Sequence, residues 1–140
     1  MRRGLAAVLI ALAAGAVPAH AAHSLRIGIA DDGVLLHESP TTASTVAQWK
    51  ALGIDVVRLH VRWGSIAPAP ASRRAPDGFQ ASDPDDRHYN WGAIDRAIAL
   101  LKEAGIEPLL AVTGSGPLWS SSVPSLGNAL YRPDPHKYAA

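Results

Sequence analysis

The stretch Gly53-Ile54-Asp55-Val56-Val57-Arg58-Leu59-His60-Val61-Arg62-Trp63 constrains the fold more than any other part of the chain. From Val56 to Arg62 its residues alternate as in a β-strand, with Val57, Leu59 and Val61 on one face and Arg58, His60 and Arg62 on the other. The first face is ordinary core. The second is not, because two arginines and a histidine in one row are costly to bury without partners. Such a strand suits a barrel: the aliphatic face meets surrounding helices, and the polar face looks into the lumen toward a site at the strand's C-terminal end.

The flanking sequence supplies the neighbours of this strand. Residues 25–30 (Leu-Arg-Ile-Gly-Ile-Ala) predict a first strand ending at the turn Asp31-Asp32-Gly33. Two carboxylates there suit a metal or a sugar, with Asp31 as the candidate substrate contact, and equally suit the capping of a turn. A dinucleotide fold is excluded at this turn, since the second glycine of G-x-G-x-x-G is missing. Ser39, Thr41 and Thr42 are N-cap candidates for a helix over residues 43–52, with Val46, Ala47, Trp49 and Leu52 as its buried positions and Gly53 as its stop.

After the central strand, residues 64–90 read as a long loop rich in Pro, Ala, Ser and Asp, placed to wall a site. Asp83, Asp85 and Asp86 lack the spacing of a calcium loop and read as a solvated acidic stretch. Asn90 is an N-cap candidate for the clearest helix, residues 91–104, whose Ile94, Ala97, Ile98, Leu101 and Ala104 keep an i, i+3, i+4 rhythm. Gly105 closes it, and residues 106–112 form a third strand, with Pro108 near its start. Residues 113–119 leave that strand through Gly114 and Gly116 toward Trp119, with no lysine to make a phosphate loop. Asp134-Pro135 opens a further helix.

The order β-α-β-α-β implies a parallel sheet with right-handed crossovers, either doubly wound or part of a (β/α)₈ barrel. The polar row on the second strand favours the barrel. A complete barrel takes about 250 residues, so the chain is expected to be the N-terminal β-α-β-α-β portion of a TIM (β/α)₈ barrel, incomplete at three strands.

Composition sets the remaining limits. The 140 residues are 48% hydrophobic and 18% charged, which fits a globular chain. A formal net charge of +1 gives no basic field for nucleic acid or acidic lipid. There is no cysteine, so disulfide scaffolds and thiolate metal sites are excluded. Arg2 and Arg3, an apolar run over residues 5–17, Pro18 and then Ala19-His20-Ala21 have the layout of a signal peptide. The run is short for a membrane helix, which needs about 20 apolar residues. The expectation is a secreted protein, residues 22–140, with no membrane association after cleavage. Removal of Arg2 and Arg3 takes the basic residues from 13 to 11, against 12 acidic ones.

A family resemblance rests on several of these segments in order. Residues 53–63 followed by Ile66-Ala67-Pro68, then Tyr89-Asn90-Trp91 with Ile94-Asp95, Gly105-Ile106-Glu107-Pro108-Leu109-Leu110, Pro117-Leu118-Trp119 and Tyr131-Arg132-Pro133-Asp134-Pro135-His136-Lys137-Tyr138, resemble the N-terminal portion of the retaining (β/α)₈ glycoside hydrolases of the cellulase-like clan. The resemblance covers residues 25–140. It implies hydrolysis of O-glycosidic bonds in poly- or oligosaccharides without a cofactor. The work is done by one glutamate on strand four, commonly in Asn-Glu-Pro, and one on strand seven, with carboxyl groups about 5–5.5 Å apart.

The chain departs from that pattern in its glutamates, which are Glu38, Glu103 and Glu107 alone; none follows an asparagine. No catalytic residue is therefore expected among these 140 residues. The resemblance gives Arg58 a supporting role, holding the nucleophilic carboxylate ionised, a task suited to a permanently charged, bidentate fork. His60, Trp63 and Trp119 are the further substrate-binding candidates beside Asp31, each with core packing as the competing role. Two other readings stand next to the glycosidase. One is a non-catalytic carbohydrate-binding or remnant protein of the same fold. The other is a metal-dependent barrel hydrolase, against which His60 lacks a His-x-His partner.

Overall fold

The structure is a computed structural model and describes residues 25–138. The expected signal peptide therefore lies outside the described residues. The chain is mixed α/β: β1 (Gly28–Ala30), α1 (Gly33–Leu36), α2 (Thr42–Ala51), β2 (Val56–Arg62), α3 (Trp63–Ile66), α4 (Gly92–Glu103), β3 (Glu107–Thr113) and α5 (Pro135–Tyr138). Two short 3₁₀ turns, Leu118–Ser120 and Pro124–Leu126, lie between β3 and α5. The three strands form one parallel sheet in the order β1-β2-β3. Ala30 stands opposite Arg58, and Arg58 opposite Leu109, so side-chain parity is shared across the sheet.

β2 runs over the residues its alternation predicts, with Val57, Leu59 and Val61 buried and Arg58 and Arg62 exposed. The aliphatic face carries the core, where Val57 and Leu59 pack with Val46 of α2, Ala97 and Leu101 of α4, Leu35 and Ile106. Both helices stop at glycines that take positive φ, Gly53 at +81° and Gly105 at +67°, a conformation glycine adopts without a Cβ penalty.

Several boundaries differ from expectation. β1 is three residues rather than six; ahead of it Asp55 Oδ2 accepts the Ile27 N–H (3.0 Å), the Ile27 carbonyl accepts the Asp55 N–H (2.8 Å), and Arg26 pairs with Glu107 (2.6 Å). Leu52 falls past the end of α2 and is 75% exposed, and Ala47 faces solvent, so neither is core. Asn90 does not cap α4. Trp91 takes the N-cap position without a side-chain bond, and the Asn90 N–H goes to the Ile66 carbonyl (2.8 Å). Asp134 does cap α5, accepting the His136 N–H at Oδ1 (3.0 Å).

The 64–90 segment is built around one carboxylate rather than uniformly solvated. Asp86 Oδ2 accepts the Gln80 N–H (2.9 Å), and Oδ1 accepts both the backbone N–H (2.8 Å) and Nδ1–H (2.6 Å) of His88. The His88 and Gln80 backbone donors hold the Asp86 carboxyl below its ordinary pKa. Tyr89 Oη donates to Ala81 O (2.8 Å) and Trp91 Nε1 to Pro84 O (2.9 Å), tying the segment to the start of α4.

The loop after β2 and the loop after β3 meet through two glycines. The Gly64 N–H donates to Ser115 O (3.1 Å), where an added Cβ would stand 2.9 Å from that oxygen. A Cβ on Gly116 would stand 2.5 Å from the Trp63 ring and collide with Ser120 Oγ. β3 is only partly covered: Leu109 is 51%, Leu110 44% and Val112 80% exposed. Among the described residues no helix is long and apolar enough to cross a membrane.

Candidate functional site

In a parallel sheet the loops at the C-terminal strand ends converge, and ligand sites form there. Here that end carries the polar row of β2. The sheet register explains which residue of β1 joins it. Ala30 lies opposite Arg58, so the residue two further on, Asp32, comes level with His60. Asp32 Oδ1 accepts the His60 backbone N–H (2.9 Å), and Oδ2 lies 3.0 Å from His60 Nδ1. A carboxylate only accepts, so Nδ1 carries the hydrogen and Nε2 is turned away from Asp32. Arg62 NH2 stands 3.9 Å from Asp32 Oδ2, a charge contact beyond hydrogen-bond range.

Two clefts open over this cluster, sharing His60, Arg62 and Ser65. One, of about 640 Å³, is walled by Thr113 at the end of β3 and by Ser115 and Leu130 beyond it. The other, of about 330 Å³, is walled by Asp32, His37 and Asn90. A carboxylate, an oriented imidazole, a guanidinium and several hydroxyls can bind and orient a polyhydroxylated ligand. They do not supply a nucleophile and acid pair. Glu38 reaches Arg96 of α4 (3.7 Å), Glu107 pairs with Arg26 at the N-terminal end of β3, and Glu103 is exposed at the end of α4.

The other residues singled out from sequence are placed as follows. Arg58 lies on the polar face one pleat below His60, exposed; its carbonyl accepts the Asp31 N–H (3.4 Å), and its guanidinium has no hydrogen bond or ion pair among the described residues. Asp31 is engaged at the start of α1, one residue before the N-cap Asp32, its Oδ1 accepting the Val34 N–H (2.7 Å). Trp63 packs edge-on against Trp119 (5.6 Å between centroids) and Tyr138 (4.7 Å) rather than over the two clefts. Trp119 is 4% exposed, with Nε1 donating to Pro68 O (3.0 Å), and has no open ring face. Sequence reasoning chose Asp31 of the acidic pair and missed Asp32. The available signal was parity, since Asp32 shares that of Ala30 and Asp31 that of the helix-facing Ile29.

Burial pushes the Asp32 carboxyl up, but the His60 backbone N–H, its ring, and the charges of His60 and Arg62 outweigh burial and hold it below the usual value. A carboxyl with a depressed folded-state pKa contributes stability above its unfolded value, about 3.9, and loses it as pH falls through the folded value. Denaturant unfolding at pH 6 and pH 3 is expected to show this acid-side loss, and Asp32→Asn is expected to remove part of it. An unchanged pH dependence in the variant would show that Asp32 is not bonded in this way.

Comparison with protein-family models, with curated proteins and with solved structures gives no match for this chain.

Proposed function

We propose that this chain is the first three-strand portion of a (β/α)₈ barrel of the retaining glycoside hydrolase type, and that its strand ends form one wall of a glycan-binding cleft. The observation that carries the reading is the two-faced sheet. A doubly wound sheet is covered by helices on both sides and reads apolar on both. Here one face carries the core, and the other carries Arg58, His60 and Arg62, with Asp32 brought level by register. That division suits a barrel wall with a polar lumen.

Two further features support it. Leu110 and Val112 share the parity of Leu59 and Val61, so they expose apolar surface on the side where helices pack. Beside Val112 lies an apolar groove of about 440 Å³ between Trp63, Tyr89, Trp91 and Tyr138, which adds to the uncovered apolar surface on that side. In this proposal Arg58, with no acid beside it, is the partner of a nucleophilic carboxylate from a later strand, His60 and Asp32 bind sugar hydroxyls, and Trp63 and Trp119 pack the loops. The leader sequence adds secretion to the proposal.

Carbohydrate binding without hydrolysis is the second reading, and it draws on the position of all three glutamates away from the clefts. A metal-dependent reading finds no support, since no three His, Cys, Asp or Glu side chains converge among the described residues. Titrating a panel of neutral and acidic oligosaccharides into the chain, with the His60 imidazole followed by NMR, tests the glycan assignment. Selective shifts at His60 and at the Arg62 and Thr113 amides are expected. No shift with any glycan would contradict it.

A further inference from the structure

The polar face of the sheet holds more positive charge than its own acids neutralise. Asp32 is the only acidic side chain lining either cleft among the described residues, and both its oxygens are engaged by His60. Arg58 and Arg62 stand in the same row, which leaves a surplus cation before His60 is counted. Arg62 is the one at the mouth. It lines both clefts and its side chain is 65% exposed; beyond the 3.9 Å charge contact with Asp32, its guanidinium N–H groups have no hydrogen-bond acceptor among the described residues. Gly114, at φ +85°, passes beside its stem, where an added Cβ would make ordinary contact with Arg62 Cβ and Cγ at 3.6 Å. Ser65, Thr113 and Ser115, each bearing a hydroxyl, line the same cleft.

A guanidinium with free donors beside a ring of hydroxyls suits a carboxylate on a hydroxylated ring: two parallel N–H···O bonds to the acid, and single bonds from the hydroxyls to the sugar. We infer that the glycan bound at this site is acidic, a chain containing hexuronic acid, and that Arg62 is the residue that selects it by pairing with the uronate carboxylate. This rests on the glycan reading and narrows its substrate class. Arg58, one pleat deeper and outside both cleft linings, keeps its separate role.

The test titrates the full chain with an oligomer of hexuronic acid and with the same oligomer methyl-esterified, which has the same ring hydroxyls and no charge. The acid is expected to bind at least about tenfold more tightly than the ester, as for a charge-assisted bidentate pair, and the ratio is expected to shrink as salt rises. Arg62→Gln is expected to bring the ratio to about one, and Arg62→Lys, which keeps the charge but not the fork, to an intermediate value. Arg62 is exposed, and thermal melts of both variants confirm that the fold is kept. A ratio near one in the parent chain, with the ester still binding, overturns the inference and leaves the glycan reading in place. An acid preference that survives Arg62→Gln overturns the assignment to Arg62. Binding of neither oligomer overturns the inference, and with silence across the neutral panel it overturns the glycan reading as well.

Discussion

Trp119→Ala is expected to lower the unfolding free energy by about 4 kcal/mol, the largest single-residue effect in the chain, by the usual cost of deleting a buried aromatic side chain. The ring is 4% exposed and sits edge-on to Trp63 and Phe79, each with centroids 5.6 Å away. Its indole N–H satisfies the Pro68 carbonyl. Through these contacts it clamps the loop after β3 onto the 64–90 segment, so its removal opens a cavity between two loops and orphans a carbonyl. Trp119→Phe keeps part of the volume and loses the N–H, and is expected to cost about 1–2 kcal/mol. Urea unfolding of the two variants checks both figures. A loss under about 1 kcal/mol for the alanine variant, together with lost sugar binding, would return Trp119 to the role of a stacking platform.

Leu59→Ala is expected to cost about 3 kcal/mol. Leu59 is 0% exposed at the middle of the central strand and belongs to the cluster with Ala97 and Leu101 of α4. The neighbouring strand offers an internal control. Leu110 stands opposite Leu59 in the register, on the same face, but is 44% exposed. Leu110→Ala is expected to cost under about 1 kcal/mol, because much of its surface is already in water. The contrast between two leucines in one register pair measures how far the helix layer extends over the sheet. Equal losses would mean that β3 is covered in solution.

Much of the fold was legible because its signals are local. Alternation in residues 56–62 fixed β2 and sorted its two faces, the 3.6-residue rhythm placed α4, and Gly53 and Gly105 marked helix ends. Other parts depend on contacts that sequence spacing does not show. The Asp55 side chain, not a strand partner, takes the Ile27 N–H ahead of β1. At the start of α1 the Asp31 carboxylate takes the Val34 N–H. The order within residues 64–90 follows from Asp86 collecting three donors. At the site, the row Arg58–His60–Arg62 could be read from one strand alone, but its partner Asp32 could be found only by setting two strands in register. The two roles weighed for the tryptophans differ in the same way. A Trp after a strand end suits either stacking on a sugar or loop packing, and only the packed neighbours of Trp119 separate the two.

The central claim is that this sheet is the opening wall of a barrel whose carboxylates arise on later strands. The most direct measurement is to read the encoding frame beyond codon 140. The expected result is an α5 completed into a full helix, followed by an apolar strand ending in Asn-Glu and, further on, a second glutamate at a strand end. A verified stop codon after Ala140, or following strands that lack both glutamates, would contradict the glycosidase assignment for this protein.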